Sequence, residues 1–244
     1  MDLDRLRHPG DLVGPLWVVV AGYGPPLVLL HGNSESHRVF DRLVPLLAPR
    51  FTLVGIDSRG HGRSPRGDGE LRIVRMADDV ADVLTRLGLA GAPVVGFSDG
   101  GNIALELALR HPGVAGRLVI VGANLDPGGL APFSLLWTEA AHAVSRVGAR
   151  FLPRVAPLGS LSERLGLMTR DPEIDAGALR RVTQPVLVVV GERDVIRPEH
   201  TDLIVSALPD ARLLRVAGVG HMVPWDAAPE LAAAVERFLR PRGA

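Results

Sequence analysis

The feature of this 244-residue chain that most limits its fold is an alternation. Short runs rich in Val, Leu and Ile recur at 16–20, 27–30, 51–56, 93–97, 117–122, 185–191 and 211–216. Between most of them lie longer segments with helical spacing, at 76–89, 102–111 and 229–239. Apolar runs of strand length without polar alternation read as strands buried on both faces, and helices between them read as crossovers. The pattern predicts an α/β fold, a parallel sheet with helices on both faces. The rhythm breaks from Asp126 to about Gln184, where Pro and Gly punctuate helix-like pieces and no strand is convincing. That stretch reads as an insertion, not a second domain. Phe133, Trp137, Phe151 and Met168 give it bulky apolar groups that either cover a pocket or pack the insertion down.

Composition narrows the chemistry. Apolar residues make up 47% of the chain, enough for a sizeable core and against disorder. The 27 basic and 27 acidic residues balance, so nothing suggests electrostatic capture of nucleic acid or an anionic membrane, and the expected partner is a small molecule. Every basic residue other than histidine is arginine, which removes Schiff-base chemistry and a phosphate-loop lysine. Cysteine is absent, which removes thiol nucleophiles and cysteine-held zinc or iron–sulfur clusters. No cofactor or metal is expected. The first residues lack the apolar centre of a signal peptide and no run reaches spanning length, so a cytoplasmic protein is the default expectation.

The stretch VVGFSDGGNIALELAL, residues 94–109, spends three glycines around Ser98 where an apolar run gives way to a helical pattern. In open parallel sheets chemistry collects at the carboxyl ends of strands, and Ser98 follows one. A serine hydroxyl is a weak nucleophile that needs a base, an orienter for that base and donors for a developing oxyanion. GFSDG fits the G-x-S-x-G elbow, with Gly96 and Gly100 letting the backbone pass. Alone the motif is modest; its setting between strand and helix gives it weight.

Of eight histidines, His221 has the right setting: a glycine-rich loop after the last strand and before the final helix. His111 ends a helix, His61 lies in a tight turn, and His8, His37, His142 and His200 have no comparable position. The orienting carboxylate is expected after another strand, where Asp194 is favoured over Glu192 and Asp126. The oxyanion amides are expected from Asp99, next to the serine, and from the HGNS turn at His31 and Gly32, through Asn33 or else Ser34. The Asp99 carboxylate itself has two readings, attraction of an ammonium-bearing substrate or simply an acid at a helix N-terminus.

With these residues in place the chain resembles the α/β-hydrolase-fold serine hydrolases. The resemblance runs through HGNSES, GIDSRGHGRS, GFSDGG, GERD and GVGHMVP, in that order, over nearly the whole sequence. It implies an eight-stranded, mostly parallel sheet with a small helical cap inserted after strand 6, so that 1–125 and 185–244 form the core and 126–184 the cap. It implies Ser98, Asp194 and His221 as a triad, and Asp57 and Arg59 as braces for the loop beside it. The activity it implies is hydrolysis of a small carboxylic ester, thioester, lactone or amide. Carbon–carbon bond hydrolases and cofactor-free haloperoxidases or perhydrolases share such triads, and some ligand receptors share the scaffold. Aspartate-nucleophile relatives are disfavoured by the serine at position 98.

Overall fold

The computed structural model describes residues 3–7, 10–151 and 156–240. Eight strands form one sheet: β1 (Asp11–Val13), β2 (Leu16–Ala21), β3 (Pro26–Leu30), β4 (Thr52–Asp57), β5 (Ala92–Phe97), β6 (Ala115–Val121), β7 (Val186–Gly191) and β8 (Ala211–Val216), in the order β1-β2-β4-β3-β5-β6-β7-β8. From β4 to β8 in that order all neighbours are parallel, while β2 runs antiparallel to both β1 and β4. Seven strands fall where the apolar runs predicted them. The eighth, β1, is three residues long with only Val13 buried, too short to leave a pattern.

The helices are α1 (Val44–Leu47), α2 (Ile73–Leu87), α3 (Asp99–Arg110), α4 (Pro132–Phe151), α5 (Ala156–Arg170), α6 (Pro198–Ala207), α7 (Val223–Asp226) and α8 (Ala228–Leu239). Successive strand residues point to opposite faces, and the central strands fill both. Val28, Leu30, Val94, Leu118, Ile120 and Val188 pack toward α2, α3 and α6. Leu27, Leu29, Val95, Phe97, Val119 and Val189 pack toward α1 and α8. Burial on both sides explains why these strands read as unbroken apolar runs.

The stretch between β6 and β7 holds α4, α5 and two short 3-10 turns, and among its described residues there is no strand. α4 and α5 pack on each other. Met168 reaches a cavity beside Ser98. Phe133 and Trp137 neither cover a pocket nor pack the insertion down: both are exposed, because α4 turns Thr138 and Ser145 inward instead. The Phe151 side chain and His8 lie outside what is described. No described helix is long and apolar enough to cross a membrane.

Candidate active site

Ser98 joins β5 to α3 with φ 52° and ψ −119°, a conformation that costs a non-glycine residue about 1–3 kcal/mol. The surroundings impose it. The Ser98 amide donates to the Val121 carbonyl at 2.7 Å, and the Ser98 carbonyl accepts from the amides of Gly101 (2.8 Å) and Asn102 (3.1 Å). The turn is tight enough that a Cβ on Gly96 would collide with the Gly100 carbonyl, and one on Gly100 with the Leu30 carbonyl. Small residues at these two positions let β3, β5 and α3 meet.

The turn leaves Ser98 Oγ 3.1 Å from His221 Nε2. His221 arrives on the loop after β8, and its Nδ1 lies 2.7 Å from Asp194 Oδ1, on the loop after β7. A carboxylate can only accept, so Nδ1 carries the proton and Nε2 presents its lone pair to the serine hydroxyl. Asp194 also accepts from the amides of Ile196 (3.0 Å) and Gly191 (3.4 Å). Burial pushes the Asp194 carboxyl up, but the hydrogen bond and charge of His221 and these amides outweigh it, holding the group below the usual carboxylate range. Neither competing carboxylate is hydrogen-bonded to His221. Glu192 accepts from the Gly218 amide at 2.7 Å, and Asp126 precedes a short 3-10 turn near His200.

On the opposite side of Ser98, β3 runs into His31, Gly32 and Asn33. A Cβ on Gly32 would lie 3.0 Å from Ser98 Cβ. His31 is buried beneath this turn: its Nε2 accepts from the Ser58 amide at 2.9 Å, so its Nδ1 donates to the Gly32 carbonyl at 2.7 Å. Burial, with His61 nearby, pushes its imidazole down to about 4, so it stays neutral as a scaffold residue. Among the described residues, neither the Asn33 nor the Asp99 amide donates to another backbone group. Asp57 accepts from the His37 and Arg63 amides, and Arg59 forms a two-pronged ion pair with Asp79 on α2. Together these contacts brace the neighbouring turn.

Four participants escaped the sequence reading. The Asn33 side chain donates to Asp99 Oδ2 (3.0 Å) and to the Arg164 carbonyl of α5 (2.9 Å), tying the turn to the insertion. Glu35 accepts from the Gly32 amide at 3.1 Å, closing the turn at the end of β3 from three residues further on. Gly122, just after β6, lies against His221. Asn102 Nδ2 lies 3.3 Å from Asp99 Oδ1 and 3.1 Å from Asn124 Oδ1. Burial, with Asp171 adding to it, pushes the Asp99 carboxyl up to about 6 against the pull of Asn33, Asn102 and His221.

Ser98, His221, Asn33, Asp99, Leu130 and Met168 line a cavity of about 80 Å³. A larger one, about 420 Å³, lies beside His37 and Arg63 and has neither Ser98 nor His221 in its walls. Among the described residues no three His, Asp or Glu side chains converge as a metal-binding set.

This geometry has parallels in known proteins. The chain is 31% identical to the pimeloyl-[acyl-carrier protein] methyl ester esterase of Stenotrophomonas maltophilia, over 90% of this chain and 95% of that one. It is also 31% identical to the magnesium-chelatase 30 kDa subunit of Rhodobacter capsulatus, over 93% and 92%. Among solved structures, a hydrolase from Pseudomonas aeruginosa superposes with a TM-score of 0.75 at 27% identity, covering 94% of each chain. A family model described as alpha/beta hydrolase fold matches residues 25–152. With an eight-stranded sheet in the corresponding topology and a serine elbow after β5, the chain belongs to the α/β-hydrolase-fold family.

Proposed function

We propose that the protein is a serine hydrolase of small carboxylic esters, with thioesters, lactones and amides as the nearest alternatives, working through Ser98, His221 and Asp194. The observation that carries this reading is the unbroken chain from Ser98 Oγ to His221 to Asp194, at 3.1 and 2.7 Å, with the serine on a strained elbow. Two methyl ester esterases among its relatives, 30% and 31% identical, support the same class of reaction.

In this mechanism Ser98 Oγ attacks the substrate carbonyl carbon while His221 Nε2 takes its proton. Asp194 keeps the imidazole in the tautomer that can accept, and its negative charge stabilises the imidazolium. The oxyanion sits between the amides of Asn33 and Asp99. The bond to the leaving alcohol then breaks as His221 returns the proton to it. Water attacks the acyl-Ser98 ester with His221 again as base, and the acid leaves with Ser98 reprotonated. The insertion between β6 and β7 acts as the cap, its Met168 beside Leu130 forming the apolar wall for the acyl group. The Asp99 carboxylate is engaged by Asn33 and Asn102, which favours a positioning role over recognition of an ammonium group.

The test is labelling with a fluorophosphonate, with the adduct located by mass spectrometry, followed by a p-nitrophenyl ester series. Labelling should be confined to Ser98, and Ser98→Ala should lower turnover by a factor on the order of 10⁴ to 10⁶. Full turnover in that variant would end the proposal.

A further inference from the structure

Helix α4 keeps its polar residues in and its bulkiest apolar ones out. Its inward side carries Ser134, Thr138, His142 and Ser145 together with Leu135 and Ala141, and of these Thr138 and Ser145 are buried. The Thr138 and Ser145 hydroxyls donate back to the carbonyls of Ser134 and His142, and His142 Nδ1 lies 3.0 Å from Thr169 Oγ1 on α5. The outward side carries Phe133, Leu136, Trp137, Ala140, Ala143, Val144 and Val147, with Phe133 79%, Trp137 70% and Val144 73% exposed. A surface helix ordinarily does the reverse. These exposed apolar side chains form one continuous stripe, the arrangement that marks an interaction surface, whereas single scattered ones would be ordinary.

The spacing says what fits there. Phe133, Leu136, Ala140, Ala143 and Val147 follow one another at intervals of three and four residues, the seam of a helix that packs against another helix. Trp137 and Val144 flank the seam on one side, and Glu139 and Arg146, the charged residues of the exposed face among those described, flank it on the other. We propose that α4 is the contact surface of a homodimer, pairing antiparallel with α4 of a second copy across a two-fold axis.

One register matches the seam from Leu136 to Val147. With the axis level with residues 141 and 142, Ala140 meets Ala143 of the partner subunit, small against small at the centre, and Leu136 meets Val147 of the partner subunit. On one flank Trp137 lies beside Val144 of the partner subunit. On the other, Glu139 lies beside Arg146 of the partner subunit, twice by symmetry. Parallel pairing would set like charges level with one another. A helix lying in a lipid surface would carry basic residues along both polar margins, and among the described residues this face offers one arginine with one glutamate on a single margin.

The test is sedimentation equilibrium of the full chain over about 1–100 μM, a range chosen to bracket ordinary homodimer affinities. The wild type should sediment as a dimer. Trp137→Glu and Ala140→Glu, both at exposed positions, should halve the mass while leaving the circular dichroism unchanged. Glu139→Arg should weaken the dimer about tenfold, and adding Arg146→Glu should restore it, which only the antiparallel register predicts. A monomeric wild type overturns the proposal, as does a dimer that survives Ala140→Glu. A monomer that co-sediments with phosphatidylcholine vesicles overturns it too and assigns the stripe to lipid. None of these readouts depends on esterase activity.

Discussion

Gly122 is the stop against which His221 rests. It directly follows β6 with φ 62°, and a Cβ there would fall 2.8 Å from His221 Cε1 and 2.9 Å from Nδ1. The imidazole is thus held from one side by Asp194 and from another by the bare backbone of a neighbouring strand. Gly122→Ala should push the ring off its line to Ser98 and strain the strand end. We expect turnover to fall ten- to a hundredfold, with a stability loss of about 1–2 kcal/mol. Ester kinetics and thermal melts on the one variant measure both.

Asp194 and Asp126 separate cleanly by experiment. Asp194→Asn should lower turnover about 10⁴-fold, because the neutral amide no longer holds His221 in the accepting tautomer. Asp126→Asn should stay near wild type, since its carboxylate does not meet His221. Equal losses in the two variants would mean that the acid has been misassigned.

Glu35 makes stability depend on pH in a defined direction. Burial raises its carboxyl from 4.5 to about 7, with Asp99 adding to the shift and the Gly32 amide and His221 opposing it. The folded state therefore holds a proton between those values that the unfolded state has released, and this group's contribution to stability falls as pH rises through the window. Glu35→Gln keeps an acceptor for the Gly32 amide and removes the charge. It should raise stability at pH 8 by about 1–2 kcal/mol, discounted for partial exposure, and change little at pH 4. Denaturant titrations at the two pH values give the comparison.

The Arg59–Asp79 pair ties the turn after β4 to α2, with both side chains largely buried. Removing one partner strands the other's charge. Asp79→Ala should cost about 3–5 kcal/mol, whereas exposed Asp82→Ala on the same helix, which only loses a surface pair with Arg86, should cost less than 1 kcal/mol. Urea unfolding of both proteins provides the measurement.

What could be read from the sequence follows from where side chains must be apolar. Strands buried on both faces leave unbroken Val, Leu and Ile runs, so β3 to β7 announce themselves. β1, with two of its three residues exposed, does not. Ser98, Asp194 and His221 could be selected because each follows a strand, and topology alone brings strand ends together. Glu35, Asn33 through its side chain, and Gly122 were harder, since their parts depend on three-dimensional contact with no sequence period behind it. The outward set of α4 was present as a helical stripe, but a stripe does not say which way it faces. That depended on Thr138 and Ser145 bonding to their own helix and filling the inner side.

The pairing of β3 with β5 sets Leu30 level with Gly96, so the Asn33 turn and the serine elbow leave adjacent strands at matched height. Their separation is gauged by the sheet's own hydrogen-bond ladder, about 4.8 Å between strands. No side chain sets it. Asp194 and His221 instead ride on loops beyond β7 and β8, and the opposing wall comes from an insertion tied in by Asn33 and Arg164. One half of the candidate site is metered by backbone and the other by interchangeable parts, so the loops and the insertion can vary on this scaffold without recalibrating the Ser98 elbow.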